Sequence, residues 1–287
     1  MKQMLDWQNI TRQGAHQGIA RLRKFQRDLI DTVELASQVR IDHPTMGCRD
    51  MYYAEREQMP RGRDWTEQLL LGCGFRVKTP PRSFTVTGVD ICSNLIEGMS
   101  ITGPNQVWQT DITYEWAGGR WYYISFVIDV YTRQILARHC SRDLSAKSQI
   151  RCLVMALASQ KGQDLSGLII HTDRGTQYTS GEYKNYLKSR ELTHSMAHYA
   201  WQNAYCERVN RTIKHGYLKY YTTNSFESLS KGVHKAVRMY NRSKPHRGLP
   251  GRLSPDQFVK ERNQGKHPDY CVNIWSKLTS TKMLHVN

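Results

Sequence analysis

The chain has 287 residues, a net charge of +16 and 39% hydrophobic residues, so it is long enough to bury a sizeable core. Aromatic residues make up 10% of the sequence, which excludes wholesale disorder. No apolar run approaches the length of about 18 residues that a membrane helix requires, and the opening MKQMLDWQNI lacks the apolar core of a signal peptide. Seven scattered cysteines without a CxxC pair disfavour a disulfide framework or a Cys-rich zinc site and predict a reducing, cytoplasmic location.

The positive charge is concentrated in residues 174–252, which carry 15 basic side chains and only four acidic ones. Residues 1–104, by contrast, carry 14 basic and 12 acidic side chains. One interpretation of the basic span is a solvated surface that binds nothing. The other is a phosphate-binding face, because a concentrated positive field attracts a polyanion.

In chain order, residues 1–75 predict a small helical region. Apolar residues recur at helical spacing in residues 17–40, and Pro44 should end that helix because the residue before a proline avoids helical backbone angles. Residues 47–55 and 64–71 predict two further short helices, an arrangement typical of a helix-turn-helix. The candidate phosphate contacts are Arg49, Arg56, Arg61 and Arg63. A helical bundle that binds no DNA fits the same pattern.

The rest of the chain predicts an α/β domain behind an extended linker. Residues 76–104, rich in Pro, Thr, Ser and Gly, predict the linker. The predicted strands are residues 107–114, 121–130, 134–140, 167–171 and 192–196, and the predicted helices are residues 146–160, 180–188, 203–221 and 227–242. Three consecutive strands, followed by strands that alternate with helices, indicate a mixed sheet flanked by helices over residues 105–260. Residues 261–287 predict a C-terminal tail.

Three carboxylates lie on three different predicted elements. Asp111 is in the middle of the first strand, Asp173 follows a buried strand at its carboxyl end, and Glu207 is in the first turns of a long helix. If they converge, they form an all-oxygen site of the kind that Mg²⁺ or Mn²⁺ binds. Each also has an ordinary interpretation: Asp111 as a surface acid, Asp173 as a turn residue or a pair with Arg174, and Glu207 as a helical pair with Arg211.

Four motifs in the same region occur together: WQTDIT, HTDRGTQY, NAYCERVNRTIK, and YNRSKPHRGL followed by SPDQF. Together they resemble the catalytic half, the OrfB product, of bacterial insertion-sequence transposases of the IS-three family. The resemblance covers about residues 105–260 and implies an RNase H-like fold of the DDE transposase and retroviral integrase superfamily. It implies that Asp111, Asp173 and Glu207 are the catalytic, metal-binding triad, holding Mg²⁺ or Mn²⁺, with two ions expected.

The resemblance also implies an activity and its partners. The expected activity is metal-dependent DNA strand cleavage and strand transfer in transposition of an insertion sequence. The expected partners are DNA, as terminal inverted repeats and target, other copies of the chain on that DNA, and an OrfA-type partner or fusion. The expected setting is the bacterial cytoplasm, with no membrane. Two alternatives stay open: an RNase H-like nuclease that cuts without joining, and an inactive DNA-binding relic.

Several side chains near the triad are candidate DNA contacts. Arg174 and Arg208 fall on the motifs that follow Asp173 and Glu207. Arg211 and Lys214, four and seven residues after Glu207, share its helix face and suit phosphate. A second group consists of aromatic residues in the loop before that helix, Tyr199, Trp201 and Tyr205. They could stack on unpaired bases, or could pack the loop onto the core.

Four further residues have more than one interpretation. Asp129 ends a predicted strand at a turn, which favours a structural role over that of an alternative metal ligand. His194 and His198 are spaced as in some zinc sites, but without a nearby cysteine a loop with two solvated histidines is favoured. His171 could orient Asp173, or could simply pack in the core.

Overall fold

The computed structural model describes residues 11–77 and 92–274. The chain divides into two compact units between Thr79 and Pro80. Among the described residues, no helix is both long enough and apolar enough to cross a bilayer.

The first unit contains three helices, as predicted. They are α1 (Arg12–Asp42), α2 (Cys48–Ala54) and α3 (Arg63–Gly72). The side chain of Thr11 caps α1 by accepting a hydrogen bond from the amide of Gly14, and the helix ends at His43, directly before Pro44. The small core of this first unit consists of Ala36, Val39, Met46, Cys48, Met51 and Leu70.

The arginines predicted to contact phosphate in this unit are largely engaged within it. Three of them pair with acids: Arg49 with Glu67 at 2.7 Å, Arg61 with Asp28 at 2.8 Å, and Arg63 with Asp64 at 2.8 Å. The Arg61 guanidinium also lies over the rings of Phe25 and Trp65. The helices are therefore confirmed, while a DNA-binding role for this unit stays a prediction.

The second unit contains the α/β domain. Its strands are β1 (Ser100–Ile101), β2 (Val107–Ala117), β3 (Arg120–Asp129), β4 (Ile135–Ser141), β5 (Ile169–Thr172), β6 (Thr193–Met196) and β7 (Val272–Asn273). Its helices are α4 (Ala146–Ser159), α5 (Thr176–Thr179), α6 (Gly181–Ser189), α7 (Ala204–Gly216), α8 (Phe226–Ser243) and α9 (Pro255–Asn263). Short 3-10 turns occupy Ala200–Asn203, Leu218–Tyr220 and Pro250–Arg252.

Five strands form one mixed sheet in the order β4-β3-β2-β5-β6, which confirms the predicted fold class. β2, β3 and β4 are antiparallel, whereas β5 and β6 run parallel to β2. Successive side chains of a strand point to opposite faces, so the apolar run of β3 serves two cores. Phe126 packs with residues of α7 and α8, and Val127 packs with residues of α4 and α6.

The structure differs from the predicted linker and tail in the residues that it describes. Residues 92–104 pack partly into the core instead of forming an extended linker, because Ile96 and Ile101 are fully buried. β1 pairs with β7, so the tail predicted for residues 261–287 returns to this segment. The reason is a third hydrophobic cluster, in which Ile101 and Val272 pack with Phe258. Residues 78–91 and 275–287 lie outside the described residues.

The predicted long helix 203–221 is too long. α7 ends at Gly216, and Tyr217 leaves the helical region with φ −132° and ψ −62°. Glycine has one of the poorest helix propensities, and the turn buries the Tyr217 ring in the core shared with α8. A 3-10 turn over Leu218–Tyr220 then follows.

Candidate active site

The strand register brings Asp111 and Asp173 to the same edge of the sheet. β5 pairs with β2 only through residues 107–109, with Gln109 opposite His171. Asp111 and Asp173 each lie two residues further on, just beyond the last pairing of these parallel strands. The carboxyl end of β5 therefore delivers Asp173 beside the open edge of β2, where Asp111 lies.

Glu207 reaches this edge because β2 anchors the start of α7. The Oε1 atom of Gln109 accepts hydrogen bonds from the backbone amides of Tyr205, at 3.1 Å, and Cys206, at 3.3 Å. Asn203 does not cap the helix with its side chain and instead donates from Nδ2 to the carbonyl of Thr110 at 3.2 Å. These bonds satisfy amides that a helix start leaves unpaired and fix the first turn of α7, which carries Glu207.

Asp111 and Asp173 are each held by local donors. Asp111 accepts from the amide of Ile112 and from Nδ2 of Asn210, both at 2.8 Å. Asp173 accepts from the amide of Gly175 at 3.0 Å. A Cβ atom at residue 175 would lie 3.1 Å from the Asp173 carboxylate, so the absence of a side chain permits this close approach.

The three carboxyl groups influence one another electrostatically. Burial raises the pKa of Asp111 well above its usual range, and the charges of Asp173 and Glu207 raise it further. Burial also raises the pKa of Asp173. For Glu207, burial raises the pKa, Arg211 opposes that rise and Asp173 adds to it. These directions agree with the strand register, because like charges shift one another's pKa only at short range.

The cluster is not a closed metal cage. Within residues 11–77 and 92–274, no three His, Cys, Asp or Glu side chains are arranged so that they could hold a metal ion. Asp111 and Asp173 are half-buried, whereas Glu207 is exposed. Glu207 is thus the acid whose side chain has room to change rotamer.

A buried tyrosine lies within electrostatic range of the two aspartates. Tyr178 is fully buried, and its hydroxyl lies 3.3 Å from Oγ1 of Thr110. Burial raises the pKa of Tyr178, and the charges of Asp173 and Asp111 contribute to that rise. Tyr178 therefore stays protonated at neutral pH. The motif HTDRGTQY contains Tyr178, but no local pattern predicts its burial near the acids.

The predicted phosphate contacts have different surroundings. Arg208 and Arg211 are exposed on α7. Arg174 donates from Nε to the carbonyl of Ala197 at 2.9 Å. Lys214 lies 3.8 Å from the Glu115 carboxylate, and its ammonium group lies 4.9 Å from the centre of the Tyr114 ring.

The predicted stacking residues separate into two groups. Tyr199 and Trp201 are 48% and 41% exposed, and their rings stack at 5.8 Å with an interplanar angle of 7°. Tyr205 is instead half-buried beneath the guanidinium of Arg133, 4.0 Å from its ring centre. Tyr205 therefore packs onto the core, whereas Tyr199 and Trp201 form an aromatic pair that is exposed at the surface.

Asp129 has the surroundings of a structural residue. It is buried and accepts hydrogen bonds from the amide of Asn105 at 2.7 Å and from the amide and hydroxyl of Thr132 at 2.6 and 2.9 Å. These bonds tie the turn between β3 and β4 to the segment before β2. The structure thus agrees with the favoured interpretation of Asp129.

The three histidines considered near the triad, His171, His194 and His198, are buried or half-buried. His171 is fully buried and its Nδ1 lies 2.9 Å from Oγ of Ser195, while burial lowers its pKa to about 3. His194 is half-buried, with a pKa that burial lowers to about 4, and Nε2 of His198 accepts from the amide of Asn94 at 3.1 Å. The predicted loop with two solvated histidines is therefore wrong, because residues 92–96 fold back against this region.

Comparisons with known proteins point to one family. Two family models, both described as integrase core domain, match residues 101–199 and 190–255. The chain is 29% identical over 213 residues to an insertion element IS600 31 kDa protein of Shigella sonnei, covering 73% of this chain and 76% of that protein. It is 32% identical over 185 residues to transposase InsF for insertion sequence IS3A of Escherichia coli K12, covering 63% of each chain. The chain thus spans less than two thirds of the length of that transposase.

Solved structures give a more distant likeness. The HTLV-2 integrase catalytic core domain in complex with magnesium is 22% identical, with a TM-score of 0.44, over 54% of this chain and 96% of that one. A simian T-cell lymphotropic virus intasome chain is 17% identical, with a TM-score of 0.45, over 72% of this chain and 69% of that one.

Proposed function

We propose that the chain is a DDE-type transposase of the IS-three family of insertion sequences, and that it cleaves and joins DNA strands during transposition; the matches to the integrase core domain and to the two insertion-sequence proteins support this. In the proposed reaction, water and then a DNA 3′-hydroxyl attack a phosphodiester at the element ends. The observation that carries the proposal is the placement of Asp111, Asp173 and Glu207 at one edge of the sheet, where the charges of Asp173 and Glu207 raise the pKa of Asp111 and the charge of Asp173 raises the pKa of Glu207.

The donor set of this cluster fits hard divalent cations. Carboxylate oxygens are the ligands that Mg²⁺ and Mn²⁺ prefer, and a cation would relieve the repulsion that raises the pKa of Asp111. Asp111, Asp173 and Glu207 would hold the metal, with two ions expected. Bound there, such ions supply electrostatic stabilisation to the attacking and leaving oxygens of an in-line phosphoryl displacement.

Neighbouring side chains position the acids. Asn210 fixes the Asp111 carboxylate by its 2.8 Å hydrogen bond, and Gln109 fixes the first turn of α7. Arg208 and Arg211 are exposed on the helix that carries Glu207, where they can reach the phosphates flanking the reacting bond. Lys214 can reach them too, provided that it exchanges Glu115 for phosphate, and Arg174 is the further candidate contact.

The stacked pair Tyr199 and Trp201 is proposed to receive an unpaired base near the DNA end. The pair is exposed and directly precedes the helix that carries Glu207. Stacking of a base on an aromatic side chain contributes about 1–3 kcal/mol and tolerates any base. Because the two rings already stack in parallel, a base could extend the stack without a change in their orientation.

The proposed partners follow from the family. They are DNA, as terminal inverted repeats and as target, and further copies of the chain assembled on that DNA. An OrfA-type protein, as a partner or as a fusion, completes the proposal. The proposed setting is the bacterial cytoplasm.

Strand cleavage and joining on DNA that carries the element ends tests this function. We expect Mg²⁺ and Mn²⁺ to support both steps, and Asp173→Asn to abolish both. Asp164→Asn is the matched control, because Asp164 is an exposed aspartate in the loop after α4 that accepts a hydrogen bond from the amide of Ser166. Full activity of the Asp173 variant would remove the triad assignment. Cutting without joining under all conditions would favour a nuclease, and wild-type-like metal binding by a triple alanine variant would favour an inactive relic.

A further inference from the structure

α8 exposes a stripe of basic side chains over its last three turns. The stripe consists of Lys231, His234, Lys235, Arg238 and Arg242. The opposite side of the helix is buried in the core, through residues such as Val233 and Val237. From Lys231 to Arg242 the helix rises about 16 Å, at about 1.5 Å per residue.

The stripe is not neutralised by acids. Glu227, the only acidic residue of α8, pairs with Arg142 at 3.2 Å. Across residues 11–77 and 92–274, no carboxylate lies within 4.0 Å of the lysines or arginines of the stripe. On the β4 side, Arg138 contacts His234 and lowers its pKa, so His234 is neutral at pH 7 and Arg138 adds another cation.

This arrangement disfavours the helix when nothing is bound. Like charges four residues apart destabilise a helix. Lys231 and Lys235 form one such pair, and Arg238 and Arg242 form another. The usual solvated helix face intersperses acids and bases, whereas this one does not. A bound polyanion would turn the repulsion into attraction.

We propose that the stripe on α8 binds the sugar-phosphate backbone of duplex DNA, outside the acid cluster. The inference deepens the proposed function and rests on it. Duplex DNA advances by about 3.4 Å per base pair, so about 16 Å of helix matches about five base pairs of one strand. Lys231, Lys235, Arg238 and Arg242 complement the phosphates in spacing as well as in sign, and none of them has a carboxylate within 4.0 Å in the part of the chain that the structure describes. Lys235 lies over the Tyr221 ring, 5.2 Å from its centre, a contact that keeps its charge.

The position of α8 fits the same DNA molecule. α7 and α8 lie on the same face of the sheet, because Val209 and Ile213 of α7 share one hydrophobic cluster with Val233 and Val237 of α8. The exposed cations of the two helices therefore belong to one layer of the domain. A duplex whose end reaches Glu207 on α7 can continue along this layer over α8.

The test is the salt dependence of binding to a duplex of arbitrary sequence. The variant is K231Q/K235Q/R238Q, and the matched control is K147Q/R151Q/K161Q, which removes three exposed cations on and just after α4, on the opposite face of the sheet. Binding is measured in EDTA with a duplex of about 30 base pairs. The slope of log affinity against log salt counts the phosphates that are neutralised, because each contributes about 0.9 to it.

We expect the α8 variant to reduce that slope by about two to three units and the control to reduce it by less than about one. Equal losses in both variants would show a general charge effect and overturn the proposal. An unchanged slope in the α8 variant would also overturn the proposal. That result is expected if the stripe binds an acidic protein surface instead of DNA.

Folding and charge are separated by two further measurements. Thermal unfolding of K231Q/K235Q/R238Q should occur at the wild-type temperature or slightly above it, because the altered side chains are exposed and their like charges no longer repel one another. The charge-preserving K231R/K235R variant should bind as the wild type does, and a loss there would overturn the proposal. Because binding is read in EDTA, failure of this inference is distinguishable from failure of the proposed chemistry, which is read as metal-dependent cleavage.

Discussion

Two regions of the sheet each hold an aspartate in place, and they do so in opposite ways. Asp129, at the end of β3, is buried and accepts three short hydrogen bonds from Asn105 and Thr132. Asp111, on β2, accepts two hydrogen bonds and lies within the electrostatic influence of two other acids. Burial raises the pKa of both carboxyl groups, but only at Asp111 do neighbouring carboxylates raise it further.

The difference agrees with a structural role for Asp129 and with the functional role proposed for Asp111. The hydrogen bonds of Asp129 stabilise a turn and oppose the cost of its burial. The acids around Asp111 add to the cost of burying its charge. Such an arrangement is expected where a site binds cations, because a bound ion reverses the sign of the interaction. The sequence favoured the same two roles, but only the structure shows which groups surround each carboxylate.

The largest expected effect comes from removing one charge of the cluster. Asp111→Asn should lower strand cleavage and joining by at least about a thousandfold, a loss of the order seen when a preorganised electrostatic group is removed. The folded state in EDTA should be as stable as the wild type or more so. Single-turnover cleavage and thermal unfolding measure the two effects. A variant with unchanged cleavage would break the distinction between the regions.

The matching change at the other aspartate should act on stability. Asp129→Ala leaves the amide of Asn105 and two donors of Thr132 without their acceptor. An unsatisfied buried donor costs about 1–3 kcal/mol, so we expect the free energy of unfolding to fall by about 3 kcal/mol. Urea unfolding measures it, while cleavage per folded molecule should be retained. A stable variant without activity would make Asp129 the functional acid.

The pH dependence of stability sharpens the comparison. A carboxyl group whose pKa is raised by folding stabilises the fold at low pH, and that contribution is lost as pH rises through the folded value. In EDTA, Asp111→Asn should therefore gain stability relative to the wild type as pH rises from about 4, the unfolded pKa of aspartate. Urea unfolding at several pH values gives the difference. A difference that shrinks with rising pH would mean that the Asp111 charge stabilises the fold.

A smaller effect contrasts cations of the two units. Lys214→Ala should reduce the slope of log DNA affinity against log salt by about one unit, as expected for one phosphate contact. Arg49→Ala should leave the slope unchanged, because Arg49 is paired with Glu67 at 2.7 Å. Both slopes come from the same salt titration. Equal slopes for the two variants would remove Lys214 from the proposed DNA-binding face.

The sequence predicted the elements better than the contacts between distant segments. The apolar run of β3 and the helical spacing of α1 and α4 are local signals, and the structure confirms them. The pairing of β1 with β7 joins residues at 100–101 to residues at 272–273, and no local pattern specifies such a pair. The same limit explains why Arg49 was a candidate phosphate contact, since its pairing with Glu67 depends on how two helices pack.

At the site, the sequence indicated the acids but not what positions them. Asp111, Asp173 and Glu207 were named from their elements and motifs, and the structure brings them within electrostatic range. The positioning role of Gln109, whose side chain accepts hydrogen bonds from the amides of Tyr205 and Cys206 at the start of α7, was not predicted. A buried polar residue in a strand rich in apolar neighbours was the available signal.

Calorimetric titration with Mn²⁺ tests most directly whether Asp111, Asp173 and Glu207 form a cation site at the expense of fold stability. The wild type should bind Mn²⁺, and saturating Mn²⁺ should raise its melting temperature, because a ligand specific for the folded state stabilises it by mass action. Glu207→Gln should melt like the wild type in EDTA but lose both the binding heat and the stabilisation. A Glu207→Gln protein that still binds Mn²⁺ and joins DNA strands as the wild type does would show that Glu207 is not part of the cation site.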